Sequence, residues 1–275
     1  MPTMGALHEG HLSLMRQARE ECDSVAVSVF VNPTQFAPGE DFDSYPSTLE
    51  ADLDAMGMGG DAPLADVVFA PSGREMYPHM PPGASDPAAA SSGGTFVETM
   101  GVSSGLEAGS RPHFFRGVCT VVAKLLAVVT PDVMYLGQKD AQQLAVLKKM
   151  VADLLLPVRV VGVPTVRAEN GLALSSRNAY LSHDEREQAG FLYRALTAAA
   201  EAHARHPESV TPESIVESIT RAASSVPSAD LDYVAVSHPL TLDHLPSHLP
   251  FDSALVSLAC FYGSKRTRLI DNITL

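Results

Sequence analysis

The segment Pro2-Thr-Met-Gly-Ala-Leu-His-Glu-Gly-His11 stands directly before a helical pattern and is the densest signal in the chain. Apolar residues then recur at helical spacing from Leu12 to Cys22, which predicts a helix over 11–21. The next run, Val25-Ala-Val-Ser-Val-Phe-Val31, is almost continuously apolar, as is typical of a parallel strand buried on both faces. A loop, a helix and a buried strand in this order indicate βαβ units.

The same alternation continues to residue 163 and predicts the α/β class, with a parallel sheet. The further predicted elements here are a helix opened by a capping box at Ser47–Glu50, strands at 66–70, 132–136 and 158–163, and helices at 117–129 and 139–154. Beyond residue 178 the order changes, with predicted helices at 183–205 and 212–223 and strands at 232–236, 254–261 and 266–271. We therefore expect domains at 1–166 and 167–275, the second a smaller α+β domain, and a low-complexity surface insertion near 81–105.

Composition excludes several classes of protein. The 275 residues carry 19 Lys+Arg against 32 Asp+Glu, a net charge of −13, which argues against nucleic-acid binding through a broad basic surface. Three scattered cysteines (Cys22, Cys119 and Cys260) are too few for a disulfide framework or a Cys-rich zinc site. No apolar run is long enough to span a membrane, so we expect neither nucleic acid nor membrane as a partner.

His8 and His11 lie where a helix presents unpaired N–H groups, with Gly10 between them. A helix start favours anions, and glycine lets a phosphate approach the backbone closely. Imidazoles there can stabilise the charge that develops during displacement at phosphorus. The rival interpretation is zinc, but a zinc-protease helix needs His-Glu-x-x-His, and this chain has His-Glu-Gly-His. A phosphate site is the better hypothesis.

Further polar residues follow predicted strands or the domain boundary. Gln35 follows a strand at the edge where open α/β sheets bind ligands. The amides of Gln35 and Gln143 suit a substrate with hydroxyls and a carboxylate, because an amide both donates and accepts. Lys139 offers a compact charge to a phosphate, and Asp140 can cap a helix or bind a ribose hydroxyl. Arg177 can bond two phosphate oxygens at once.

Pro2–His11 resembles the His-x-Gly-His signature of the nucleotidyltransferase superfamily, and within it the pantothenate synthetase family of ATP-dependent pantoate–β-alanine ligases. Other stretches match that family in order along nearly the whole chain. They are Val31-Asn-Pro-Thr-Gln-Phe36, Tyr45-Pro-Ser-Thr-Leu-Glu-Ala-Asp52, Gly137-Gln-Lys-Asp140 with Gln142-Gln143, Ser175-Ser-Arg-Asn178 and Arg268-Leu-Ile-Asp-Asn272.

The resemblance implies a Rossmann-like nucleotide-binding domain and a two-step ligation. Pantoate would attack the α-phosphate of ATP, and β-alanine would then attack the pantoyl adenylate. His8, His11 and Lys139 would be catalytic, Gln35 and Gln143 would bind pantoate, and Gln35 would also bind β-alanine. The ATP-binding residues implied are Met4, Gly5, Ala6, Leu7, His8, Glu9, Gly10, His11, Gly137, Gln138, Lys139, Asp140, Val166, Leu174, Ser175, Ser176 and Arg177.

Asp52 is the carboxylate assigned to Mg²⁺, which prefers oxygen ligands shared with substrate phosphates. Some relatives carry a second acid directly before it, where this chain has Ala51. The segment 111–117 also departs from the common bacterial form, so no role is carried onto His113. The family further implies a homodimer, and the few scattered cysteines favour a reducing compartment, so we expect a cytoplasmic location.

The start of the chain gives a separate expectation. The family normally has a strand before Pro-Thr-Met-Gly, whereas here Met1 precedes that motif directly, so we expect the first strand to be missing. The natural start, together with any targeting segment, would then lie upstream, or the chain would be a truncated, impaired form. Two alternatives therefore stay open beside the ligase: another His-x-Gly-His nucleotidyltransferase, and a truncated, inactive nucleotide-binding homologue.

Overall fold

A computed structural model describes residues 1–37, 39–79 and 94–275. The described chain divides into two compact units. The first comprises Met1–Gln138 and Gln143–Val163, and the second comprises Lys139–Gln142 and Pro164–Leu275.

The first unit alternates parallel strands with helices. Its strands are β1 (Pro2–Thr3), β2 (Ala26–Val29), β3 (Val67–Phe69), β4 (Val133–Gly137) and β5 (Arg159–Val163). Its α-helices are α1 (Glu9–Glu21), α2 (Leu49–Ala55), α3 (Gly73–Met76), α4 (Glu107–Ser110), α5 (Phe114–Val129) and α6 (Ala141–Asp153), whose first two residues group with the second unit. Short 3₁₀ helices span Pro33–Gln35 and Gln138–Asp140.

The strands of the first unit pair in two parallel groups, in the orders β1-β2-β3 and β4-β5. β1 has two residues, with Pro2 opposite Ser28 and Thr3 opposite Val29. The expectation that the first strand is missing is wrong in this respect, because a short strand pairs with β2 and runs into the following loop. Two residues are too few to produce a periodic pattern, so the sequence carried no signal for it.

One apolar core joins these elements. Met15 of α1, Val27 of β2, Tyr135 of β4 and Val163 of β5 are buried together in it. Strands β2, β4 and β5 each contribute a buried residue to this core, where burial of apolar area stabilises the fold. This arrangement confirms the predicted α/β class with a parallel sheet.

The second unit combines helices with an antiparallel sheet of order β6-β7-β8. Its elements are a 3₁₀ helix (Ser176–Tyr180), the helices α7 (His183–Gln188), α8 (Phe191–Arg205) and α9 (Pro212–Ser224), and the strands β6 (Ala229–Ser237), β7 (Leu255–Tyr262) and β8 (Thr267–Thr274). Leu196 of α8 and Ile219 of α9 pack with Leu258 of β7 in its core. The predicted single helix over 183–205 is wrong, because it breaks before Phe191, next to Gly190, where a β-carbon would lie 2.1 Å from the Asn170 carbonyl oxygen.

Two other predictions need correction. The capping box at Ser47–Glu50 does not form: α2 begins at Leu49, no side chain caps it, and Leu49 is 39% exposed. Residues 80–93 of the predicted insertion lie outside the described residues. Its later part packs against α5, where the Val97 amide donates to Thr120 Oγ1 (3.0 Å) and Val102 is buried. Long-range contacts therefore order a stretch whose composition indicated only a loop.

Candidate active site

The loop between β1 and α1 is held by a buried carboxylate. Asp52 on α2 is 2% exposed and accepts hydrogen bonds from the amides of Ala6 (3.1 Å) and Leu7 (2.8 Å). Gly5 turns the chain at a φ of +84°, and a β-carbon there would lie 2.8 Å from Asp52 Oδ2. Only glycine satisfies both the backbone angle and the close approach. The carboxylate therefore fixes the path of the loop that the sequence assigns to ATP.

The two imidazoles form a reciprocal cap on α1. His8 Nδ1 accepts from the Gly10 amide (3.1 Å), and His11 Nδ1 accepts from the His8 amide (3.3 Å). An amide can only donate, so each Nδ1 is the acceptor and the ring proton of each neutral imidazole lies on Nε2. The ring centroids are 4.1 Å apart. The cap thus sets two adjacent Nε2–H donors at the positive end of a helix dipole, which suits a phosphate.

Asp52 is a poor fit to the Mg²⁺ role predicted for it. Both of its oxygens already accept main-chain N–H groups, and Thr48 Oγ1 also donates to Oδ1 (3.3 Å). Within the described ranges 1–37, 39–79 and 94–275, no group of three or more His, Cys, Asp or Glu side chains is arranged to hold a metal ion. The carboxylate of Asp52 is therefore engaged by the loop between β1 and α1.

Gln35 lies at the end of the 3₁₀ helix that follows β2, and a chain of hydrogen bonds orients its amide. Asn32 is 1% exposed, and its Nδ2 donates to the Gly117 carbonyl (3.2 Å) and to Gln35 Oε1 (3.0 Å). Gln35 Nε2 in turn contacts Met4 Sδ (3.2 Å). Because a carbonyl can only accept, Gly117 determines which end of Asn32 donates, and Asn32 determines the orientation of Gln35. The Gln35 amide group thus lies beside the first predicted ATP residue, Met4.

The hydroxyls of the buried Tyr77 and the partly buried Thr34 complete the support under Gln35. The Tyr77 hydroxyl donates to Asn32 Oδ1 (2.7 Å), and Thr34 Oγ1 donates to the same oxygen (2.9 Å). Burial raises the pKa of Tyr77 to about 12, so the phenol stays protonated and keeps its donor. Lys124 Nζ lies 4.0 Å from the centre of the Tyr77 ring, and burial lowers the pKa of Lys124. These contacts hold Asn32 in one orientation.

An ion pair closes the loop that follows Gln35. Arg111 Nε and Nη2 donate to the two carboxylate oxygens of Glu40 (2.6 and 2.8 Å), and Nη2 also donates to the Gln35 carbonyl (3.1 Å). The guanidinium stacks on Phe114, 3.9 Å from the ring centre. In the sequence Arg111 is only the first residue of the segment 111–117, and these contacts explain why that position needs a planar fork of donors.

The second unit holds the remaining predicted ATP residues. Lys139 Nζ lies 3.8 Å from Asp140 Oδ2, and the Lys139 carbonyl accepts from Asn272 Nδ2 (2.7 Å). Val166 and Leu174 are joined because the Leu174 amide donates to the Val166 carbonyl (3.0 Å). Ser175 caps the next 3₁₀ helix, where its Oγ accepts from the Arg177 amide (3.3 Å), and Ser176 begins that helix. The two segments 139–140 and 166–177 therefore belong to one folded unit.

The whole chain matches known proteins of one kind. A family model described as pantoate-beta-alanine ligase matches residues 1–274. Pantothenate synthetase of Chloroflexus aurantiacus is 48% identical over 273 residues, which cover 99% of this chain and 89% of that protein. Pantothenate synthetase of Thermobifida fusca is 47% identical over 277 residues, which cover 100% of this chain and 88% of that protein.

This chain belongs to the pantoate–β-alanine ligase family. The crystal structure of pantothenate synthetase from Thermus thermophilus matches with a TM-score of 0.86 and 43% identity, covering 99% of this chain and 91% of that one. Pantoate-beta-alanine ligase from Francisella tularensis, complexed with beta-gamma ATP and beta-alanine, matches with a TM-score of 0.72 and 33% identity, covering 99% and 87%. The predicted family and enzyme class are confirmed.

Membership in the ligase family does not test single residues, and their roles stay predictions. In the first unit, the described contacts bring Met4 to His11 together with Gln35 and Asp52. Gly137 ends β4, Gln138 Nε2 donates to the Gly162 carbonyl (3.3 Å), and Gln143 lies on α6. Helices of the described segments are all too short or too polar to cross a membrane.

Several residues that support the candidate site had no role assigned to them in the sequence analysis. They are Glu40, Tyr77, Arg111, Gly117, Asp271 and Asn272. Asp271 and Asn272 stand inside the quoted motif Arg268–Asn272, and Arg111 and Gly117 stand in the segment 111–117, which was the available signal. Glu40 and Tyr77 carried none, because each contacts a residue far away in sequence.

Proposed function

We propose that this member of the ligase family condenses pantoate with β-alanine through a pantoyl-adenylate intermediate. A pantoate carboxylate oxygen attacks the α-phosphorus of ATP, the bond from that phosphorus to the β-phosphate oxygen breaks, and pyrophosphate leaves. The amine of β-alanine then attacks the acyl carbon, AMP leaves, and the nitrogen loses a proton. Both steps need reactants held in line and charge neutralised, and neither needs a protein nucleophile.

The single observation that carries the proposal is the imidazole cap at the start of α1. Because each Nδ1 accepts a main-chain N–H, both rings have Nε2–H donors for phosphate oxygens. In the transition state the α-phosphate and the departing pyrophosphate carry more charge near the leaving oxygen, and fixed donors there lower the barrier. His8 and His11 are thus proposed as catalytic residues, with ATP contacts also proposed for Met4–Leu7 in the loop before α1 and for Glu9 and Gly10 in its first turn.

Pantoate binding is proposed for Gln35 and Gln143, with β-alanine also near Gln35. The oriented Gln35 amide supports this role, because a preset donor and acceptor suit the hydroxyls of pantoate. The adjacency of Gln35 to Met4 supports a substrate next to the ATP loop.

Further ATP contacts are proposed for Gly137 to Asp140, Val166 and Leu174 to Arg177. Lys139 and Arg177 supply positive charge for phosphates. We propose that Mg²⁺ accompanies ATP, bound mainly by phosphate oxygens and water, and that Asp52 is not one of its ligands. The proposal also includes the domains 1–166 and 167–275, a homodimer and a cytoplasmic location. Sedimentation of the purified chain tests the dimer.

An oxygen-18 experiment tests the reaction. Pantoate labelled in its carboxylate, incubated with ATP and β-alanine, should yield AMP that carries one labelled oxygen, since the attacking oxygen stays on phosphorus. AMP should form only when both pantoate and β-alanine are present. Steady release of AMP without β-alanine would instead favour a plain nucleotidyltransferase, and an absence of turnover would favour the inactive homologue.

Substitutions at His11 test the imidazole cap atom by atom. His11→Asn keeps an acceptor near the Nδ1 position and loses Nε2, so the helix cap should survive while kcat falls about 100-fold. His11→Gln places an amide near Nε2 and loses the cap, so it should retain more activity and less thermal stability. If His11→Asn turned over like the wild type, the catalytic role would be wrong.

A further inference from the structure

We propose that Asn272 and Asp271, neighbours on β8, are positioning residues that hold two ATP-binding segments of the second unit in register. The inference rests on the proposed function, because it takes Lys139 and the Val166–Leu174 hairpin to be ATP contacts. Neither residue is proposed to touch a substrate. Each acts through another residue whose place it determines.

Asn272 acts on the segment that carries Lys139. Its Nδ2 donates to the Lys139 carbonyl at 2.7 Å. A carbonyl can only accept, so the amide orientation of Asn272 is determined by this bond. Lys139 lies in the 3₁₀ turn Gln138–Asp140, before α6 begins at Ala141. Fixing its main chain limits where the four-carbon side chain can place its charge.

Asp271 acts on the hairpin. Its Oδ2 and Oδ1 accept from Nη1 and Nη2 of Arg167 at 2.6 and 2.8 Å, and Oδ1 also accepts from the Asn272 amide at 2.8 Å. Arg167 further donates to the Gly171 carbonyl (3.1 Å) and stacks on Tyr193, 3.7 Å from the ring centre. Arg167 and Ala173 form a β-bridge, so the ion pair holds both arms of the hairpin.

The Asn272–Lys139 and Asp271–Arg167 contacts together form one positioning device on β8. Side chains of successive strand residues point to opposite faces, so Asp271 and Asn272 reach two segments from the two sides of β8. The Asp271 side chain is 3% exposed, so its pair with Arg167 is shielded from water. β8 pairs along its length with β7, which makes it a rigid base. We infer that β8 sets the spacing between Lys139 and the Val166–Leu174 hairpin.

Asn272 is the residue to test, because it is only partly buried. Asn272→Leu keeps the shape and loses the donor, and Asn272→Ala removes both. Each should raise KM for ATP about fivefold, the loss of one well-placed hydrogen bond, while KM for pantoate stays within about twofold. Thr211→Ala, which removes the cap of α9, is the control for a loss of stability that is remote from the device.

Binding of a non-hydrolysable ATP analogue, measured by calorimetry, separates this inference from the proposed function. Weaker binding by both Asn272 variants, with melting temperatures no lower than that of Thr211→Ala, supports the positioning role. Wild-type affinity in Asn272→Leu would overturn it, as would equal rises in both KM values. If the wild type bound the analogue and made no pantothenate, the proposed function would be wrong. The ratio of analogue affinities between the wild type and the Asn272 variants would still test the inference. If Asn272→Leu did not fold, Asn272→Ala would decide.

Discussion

The loop at residues 4–8 and the hairpin at 166–174 are each held by one buried carboxylate, but the partners differ. Asp52 accepts two main-chain N–H groups. Asp271 accepts a guanidinium fork from Arg167 and one main-chain N–H. The first anchor acts directly on the backbone that carries the proposed site, and the second acts through a charged side chain.

This difference predicts different consequences of losing each carboxylate. Removing Asp271 leaves a cation with little access to water, which is a large penalty for stability. Removing Asp52 leaves neutral N–H groups unpaired, a smaller penalty that falls on the loop proposed to bind ATP. We therefore expect stability to depend more on the second anchor and turnover more on the first.

The largest effect on stability is expected for Asp271→Ala. It should lower the free energy of unfolding by about 3 kcal/mol, because Arg167 is left without its counter-charge. Urea denaturation measures the loss. The double variant Arg167→Met with Asp271→Leu should recover most of it, since an apolar pair of similar volume avoids the buried charge. A loss below about 1 kcal/mol in Asp271→Ala would show that the pair contributes little.

Asp52→Asn should lower the free energy of unfolding by about 2 kcal/mol, because an NH₂ group then faces a main-chain N–H. Disorder of the Gly5–Leu7 path should also reduce kcat/KM for ATP about 30-fold, equivalent to about 2 kcal/mol. Steady-state kinetics and urea denaturation measure both quantities. Asp54→Asn, at an exposed position on the same helix, should leave both unchanged. An Asp52→Asn enzyme with full activity would contradict the anchoring role.

Arg111→Met tests whether a guanidinium also holds a loop in place in the first unit. The Gln35 carbonyl would lose its donor and the Gln35–Glu40 loop would open. KM for pantoate should rise about tenfold, equivalent to about 1.4 kcal/mol, with KM for ATP unchanged. Exchange of the charges in Arg111→Glu with Glu40→Arg should restore part of the affinity. Parallel changes in both KM values would indicate a general structural defect.

The smallest effect is expected for Glu185→Gln. Glu185 accepts from the amides of Ser182 (2.8 Å) and Ser264 (2.6 Å), and these bonds lower its pKa to about 2 from 4.5. A lowered folded-state pKa adds stability above pH 4.5 that is lost as the pH falls towards 2. The melting temperature of Glu185→Gln should therefore lie below that of the wild type at about pH 7 and converge with it near pH 2. Glu187→Gln, at an exposed neighbouring position, should follow the wild-type curve.

Local patterns were sufficient for most of the fold. Helices α1 and α5 and strands β2 and β4 were predicted to within a few residues, because their apolar periodicity is local. The capping box predicted at Ser47–Glu50 does not form, because α2 begins at Leu49 with Thr48 as its N-cap. Asp52 on the same helix accepts from the amides of Ala6 and Leu7, a contact that no local motif indicated.

Family resemblance identified candidate site residues that periodicity alone could not. It named His8, His11 and Gln35, while the geometry of the described residues shows how their atoms are oriented. It also suggested Mg²⁺ on Asp52, where the structure instead has a carboxylate occupied by main-chain donors. The residue type indicated a functional carboxylate at position 52. Only the neighbouring atoms in the structure show that it accepts main-chain N–H groups.

Short-range apolar patterns and ordered motifs were enough to predict the α/β class, the order of the elements and the family. The residues that support the candidate site became apparent only in the folded chain. Arg111 meets Glu40 across 71 positions, Arg167 meets Asp271 across 104, and Asn272 meets Lys139 across 133. Contacts over such separations leave no periodic trace, since they exist only after the strands and helices have packed.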